Sequence, residues 1–135
     1  AAGAIKHPFR NDFVCNLLHF NQLNIFSVDR QKNVSISYGE PINIFETLKR
    51  PDSELMNYYV SMVPTAEYIY ALYVGKPDKQ YPYWEGAVEI HVYDWEGQPI
   101  SKMAIPENII YFAVDEINKY IYGLKISQFF LPVNP

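Results

Sequence analysis

Apolar and polar residues alternate through Val88-Glu89-Ile90-His91-Val92-Tyr93, the period-two pattern of a strand with one face turned to a core. Asp94-Trp95-Glu96-Gly97 supplies turn chemistry, with an Asp able to bond the backbone ahead of it and a Gly able to take positive φ. The return strand runs from Pro99 to Ile105, with its proline at the start, where a missing N–H does least harm. Ile109–Val114 is apolar without alternation and predicts a strand covered on both faces. Asp115–Asn118 then turns the chain back through Tyr120–Leu124.

This pair of hairpins recurs in the chain. Glu67–Val74 (EYIYALYV) matches Lys119–Ile126 (KYIYGLKI) at an offset of 52 residues, and Tyr59–Met62 falls on Tyr111–Val114 at the same offset. Ile25–Asp29 (IFSVD) matches Ile90–Asp94 (IHVYD) at an offset of 65. Two hairpin types therefore alternate, with offsets that differ because the connection 39–57 is longer than 106–108, and internal repetition of this kind marks a repeat architecture.

Elsewhere the pattern is less regular. Phe13–Phe20 reads as a strand or one short amphipathic turn, with the strand favoured, and Gln22–Val28 with Val34–Tyr38 as a hairpin around Asp29–Asn33. Asn43–Arg50 predicts a short helix capped by Asn43 and stopped by Pro51. Tyr58–Val63 and Tyr68–Val74 form the next hairpin, Gly75–Ala87 is a long loop, and Ser127–Pro135 is apolar with two prolines.

Composition narrows the function classes. The 135 residues make one domain, and 49% hydrophobic with 19% charged residues describes a folded chain, while twelve Tyr and eight Phe favour strands. A net charge of −4 with scattered Lys and Arg gives no footprint for nucleic acid. No apolar run reaches the length of a membrane span and no signal peptide is recognisable. The single Cys15 allows no internal disulfide and reads as a buried small hydrophobe. His7, His19 and His91 lack ligand spacing, so no metal is expected. Nucleophile-elbow, dinucleotide and P-loop signatures are missing, so no cofactor and no catalytic residue is predicted. Asp29 and Asp94 occupy matching turn positions, His91 is read as facing a neighbour or solvent, Glu85 and Glu89 as ordinary surface acids, and Asn33-Val34-Ser35 as a coincidental glycosylation sequon.

The alternation of YIYALY and EIHVYDWEGQPI hairpins, followed by FAVDEINKYIYGL, resembles the TolB-like six-bladed β-propeller family of bacterial envelope and secreted proteins, and more loosely NHL-type propellers. The resemblance implies an all-β fold of antiparallel four-stranded blade-like sheets, a partial β-propeller built from consecutive hairpins. Residues 22–38 would be half a blade, 58–105 a full blade and 109–126 another half. Six blades of about 50 residues each need roughly twice this chain. Three arrangements would cover the open edges: the chain is part of a larger protein with further blades, or it is an open curved sheet capped by residues 1–21 and 127–135, or its half blades pair between copies, three of which would close a ring. A location in the periplasm, on the cell surface or outside the cell follows from the same resemblance.

In such blades the short turns Pro64–Ala66, Asp115–Asn118, Asp29–Asn33 and Asp94–Gly97 share one face, and the long connections 39–57 and 75–87 share the other. Binding collects where insertions collect. The expected ligand surface is therefore Tyr81, Tyr83 and Trp84, with Lys79, Asp78, Arg50 and Asp52 as polar neighbours, suited to a sugar or a peptide side chain. The alternative is that these aromatics only pack the loop onto a neighbouring blade. Three function classes stay open: a non-catalytic binding or scaffold module, a propeller enzyme acting on carbohydrate or peptide, and a structural piece without ligand.

Overall fold

The protein is described by a computed structural model over residues 2–125. Strands β1 (Ala2–Lys6), β2 (Asp12–Leu17), β3 (Gln22–Ser27) and β4 (Lys32–Ser37) form one antiparallel sheet in sequential order. Strands β5 (Met56–Pro64), β6 (Tyr68–Pro77), β7 (Val88–Asp94) and β8 (Pro99–Ile105) form a second with the same meander. β9 (Tyr111–Asp115) and β10 (Tyr120–Leu124) make a hairpin beyond it. β5 lies against both β1 and β9, so the first strands of the three units converge on one side. These are sequential blade-like sheets of a partial propeller.

The middle sheet is covered on both faces, and its alternation decides which residue goes where. Ile69, Ala71 and Tyr93 point toward the first sheet, where they pack with Val14, Leu23 and Ile25. Leu72, Val74, Val88, Ile90 and Val92 point the other way and pack with Ile109 and Ile110. Of the polar positions of Val88–Tyr93, His91 and Tyr93 are as buried as their apolar neighbours and Glu89 is half-buried. A register shift around Val60 lets Tyr59 and Met62, three residues apart, both face the first sheet, while Val60 packs on the opposite side.

The structure departs from the sequence reading at both ends. Residues 22–38 are not half a blade: β3 pairs with β2, and β2 with β1, which completes a four-stranded sheet. The short Ala2-Gly3-Ala4 run carries no alternation to betray β1. An exchange of half blades between three copies therefore loses its basis at the N-terminal end, because the edge of β3 that a partner would cover is already paired to β2. The second sheet begins at Met56, two residues before Tyr58. In the third unit, Ile109 and Ile110 are buried ahead of the strand, and β9 alternates, with Tyr111 and Ala113 exposed, so only one of its faces is covered. The end of the 109–126 unit at Ile126 and the apolar stretch 127–135 lie outside the described residues.

The short turns do share one face, where they bind the sheets together. His7, in the β1–β2 turn, accepts the amides of Phe9 and Arg10 on Nδ1 (3.0 and 3.1 Å) and donates Nε2–H to Ala66 O at 2.8 Å. Trp95 lies 4.8 Å from the His7 ring and donates Nε1–H to Thr65 O at 2.9 Å. Glu96 accepts from Arg30 (2.8 Å) and Lys32 (2.6 Å) of the neighbouring sheet.

Candidate functional site

The predicted ligand surface is only partly assembled. Helix α1 (Ile44–Leu48) forms where expected, with Asn43 Oδ1 accepting the Glu46 amide at 3.0 Å. Two single 3-10 turns, Asp52–Glu54 and Asp78–Gln80, pack together, tied by the Asp78 amide to Leu55 O at 2.9 Å. Asp52 and Asp78 thus come from adjoining segments, as do Lys79 and the exposed Arg50 just before the first turn. Among the described residues, none of these four charged groups makes an ion pair.

The aromatics separate by burial. Trp84 is 2% exposed and belongs to the core with Val74, Val88 and Ile110. This corrects its placement on a ligand surface: the loop uses Trp84 as its anchor. Tyr83 is half-buried, and Tyr81, 53% exposed, stands edge-on to Trp84 at 5.2 Å. On the same end of the sheets, α1 buries Thr47 and leaves Ile44, Phe45 and Leu48 in solvent, the last two at 77% and 73%. The sequence did not single these out, because a helix pattern does not say which face meets the core.

A second polar constellation was missed by sequence reading and lies between the two complete sheets. The Tyr59 hydroxyl is 2.8 Å from His91 Nδ1 and 2.8 Å from the Tyr93 hydroxyl, and His91 Nε2 is 2.9 Å from Glu89 Oε1. A carboxylate only accepts, so His91 donates from Nε2, its Nδ1 accepts from Tyr59, and Tyr59 accepts from Tyr93. The His91 ring stacks on Tyr73 at 4.8 Å and lies 4.4 Å from Tyr38. Burial draws the imidazole below its ordinary range despite the opposing pull of Glu89, so the neutral ring this chain requires is the favoured one. Burial also pushes Tyr59 and Tyr93 upward and Tyr73 to about 12, keeping all three phenols protonated.

At the outer end of this chain Lys102 donates to the Tyr38 hydroxyl at 3.1 Å and lies 3.8 Å from Glu89 Oε2. Both contacts raise its pKa, the Tyr38 bond foremost. A groove of about 330 Å³ opens here, lined by Tyr38, His91, Tyr93, Pro99, Ile100, Ser101 and Lys102. The hydroxyl–imidazole–carboxylate order of Tyr59, His91 and Glu89 imitates a nucleophile relay. Tyr59 is fully buried, however, so its oxygen has no route to a substrate.

A larger groove of about 420 Å³ runs between β8 and the β9–β10 hairpin, with Tyr68, Tyr70, Met103 and Ile121 in its walls. Glu116 accepts from the Tyr70 hydroxyl there at 2.9 Å, and Tyr70 is pushed up to about 12 by burial and then by that carboxylate. No group of three or more His, Cys, Asp or Glu positioned for a metal occurs among the described residues. Among those residues, no helix is long and apolar enough to cross a membrane.

A family model described as TolB-like 6-blade propeller-like matches residues 5–117. Among curated proteins and among solved structures, none matches the chain.

Proposed function

The chain belongs to the TolB-like 6-blade propeller-like family, and from that premise we propose that it is a non-catalytic binding or scaffold module of the bacterial envelope, periplasmic, surface-bound or secreted, receiving a peptide or carbohydrate on its long-loop face. The observation that carries this reading is a contrast in exposure. The Tyr59 hydroxyl at the head of the hydroxyl–imidazole–carboxylate chain is fully buried, while Phe45, Leu48 and Tyr81 stand in solvent on a face where two long connections meet. Exposed apolar groups clustered beside charged ones mark interaction surfaces. The aliphatic contribution of Ile44 and Leu48 favours a peptide with apolar side chains, and Tyr81 suits a sugar face or an aliphatic residue equally. Lys79, Arg50, Asp52 and Asp78 would then orient the ligand from the rim.

Tyr81→Ala and Phe45→Ser, assayed on glycan and peptide arrays beside the parent chain, test this. Lost binding at an unchanged melting temperature supports the surface. Undiminished binding by both variants overturns it, and turnover of a bound ligand overturns the non-catalytic part.

A further inference from the structure

We infer that the groove between the first two sheets is a small-molecule site for a carboxylate carried on a flat apolar body, held by Lys102 and Tyr38. The walls of this groove come from β7, β8 and Tyr38 just past the end of β4, so its shape does not depend on what packs against β9–β10. Its floor is the His91–Tyr93 pair, 3% and 5% exposed, and its sides are the Tyr38 ring, Pro99 and Ile100. Apolar and aromatic walls with a few fixed polar groups are the usual makeup of such sites, and the volume is at the lower end of their range.

Hydrogen-bond accounting chooses the ligand's charge. Tyr38 uses its oxygen to accept from Lys102, so its O–H remains to be donated. Lys102 has three N–H groups; one goes to Tyr38, and Glu89 Oε2, at 3.8 Å, is beyond hydrogen-bond reach. The other oxygen of Glu89 is engaged by His91. His91 Nδ1, Tyr59 and Tyr93 satisfy one another and offer the groove no free acceptor. What converges on the mouth is therefore the Tyr38 O–H and the two remaining N–H groups of the Lys102 ammonium, with Glu89 Oε2, 3.8 Å from that ammonium, as an acceptor beside them. Lys102 also stands 5.5 Å from the Tyr38 ring centroid, which already places a cation on that face and disfavours a second one. Tyr38 is fixed for this task by its backbone: its amide donates to Asn21 O at 3.0 Å, and Asn21 Nδ2 donates to Tyr38 O at 2.7 Å.

The test uses the full chain with benzoate, benzyl alcohol and benzylamine as probes, followed by calorimetry and by the NMR signals of His91 and Tyr38. Benzoate is expected to bind and shift both residues, with the alcohol and the amine at least about tenfold weaker, as charge-assisted bonds predict. Lys102→Met should weaken benzoate by about tenfold or more and Tyr38→Phe by about threefold, at unchanged melting temperature. If Lys102→Met disturbs folding, Lys102→Gln keeps the stem and removes the charge. Equal binding of the three probes, unmoved His91 and Tyr38 signals, or full affinity in the Lys102 variants overturns the assignment. Tyr81→Ala must leave benzoate binding intact, which separates this site from the long-loop surface.

Discussion

Tyr59 shows how much a single hydroxyl can hold in place. It sits between His91 and Tyr93, fully buried, and its removal strands an imidazole nitrogen and a phenol where water cannot replace it. Tyr59→Phe should destabilise the chain by about 1–3 kcal/mol, and Tyr93→Phe by less, because Tyr93 only donates at the end of the chain. Urea unfolding of the two variants beside the parent measures the difference, and equal losses would show that the order of donors is wrong. His91 adds a pH dependence with a definite sign. Its folded pKa is lowered, so below its ordinary value of 6.5 the unfolded chain takes up the proton first and the folded state loses stability as pH falls. The parent should therefore lose more stability between pH 7.5 and 5.5 than His91→Gln does. The sequence placed His91 on a strand facing a neighbour or solvent, and it faces the neighbouring sheet. Its partners were not legible, since Tyr38 reaches it from the neighbouring sheet and Tyr59 from two strands away in its own, arrangements that no local pattern encodes.

Among the elements, the β7–β8 hairpin was the most legible, because turn chemistry is local. Asp94 Oδ1 accepts the amides of Glu96 and Gln98, both at 2.9 Å, and Gly97 takes φ +89°. Tertiary packing adds a second demand: a Cβ on Gly97 would lie 2.8 Å from Val34 Cγ1 on β4. Gly86 has nearly the same φ, +88°, yet a Cβ there would meet only the flexible end of Lys76. Both alanine substitutions incur the cost of a left-handed backbone, about 1 kcal/mol, and Gly97→Ala should cost about 1–3 kcal/mol more by forcing two sheets apart. Thermal melts that rank the two variants equally would mean the sheets yield freely at this contact. Glu96, beside Gly97, is drawn down to about 2 by Arg30 and then Lys32, so its help in joining the sheets is present above its ordinary carboxylate range and is lost as pH falls toward 2. β1 is the counterexample, and β2, although Phe13–Phe20 reads as a strand, hides its pairing. Ala2-Gly3-Ala4 is small and poor in strand formers, and Asp12 and Asn16 are polar yet buried, the latter donating to Tyr59 O at 2.7 Å. The identity of β1 as a strand is fixed by its pairing with β2 and by contact with β5, which lie beyond any window of local reading.

At the scale of the molecule, coverage decides stability. The middle sheet has apolar clusters on both faces, and β6 and β7 have strand neighbours on both sides. The β9–β10 hairpin is the opposite case: among the described residues β10 pairs only with β9, and Tyr120, Tyr122 and Leu124 are 60%, 59% and 56% exposed. Two strands on their own are marginal in water, and local opening follows the density of buried contacts. Amide hydrogen exchange on the 135-residue chain should therefore be slowest in β6 and β7 and fastest, among the strands, in β10. The free edge and its tyrosines also form a template for another strand. If a strand from a second copy or from additional sequence covers this edge, β10 gains protection while β6 and β7, already covered, change little. Protection of β10 equal to that of β6 in a monomeric sample, established by light scattering, would refute this ranking and mean that the hairpin is held by contacts other than β9 and the Ile109–Ile110 anchor.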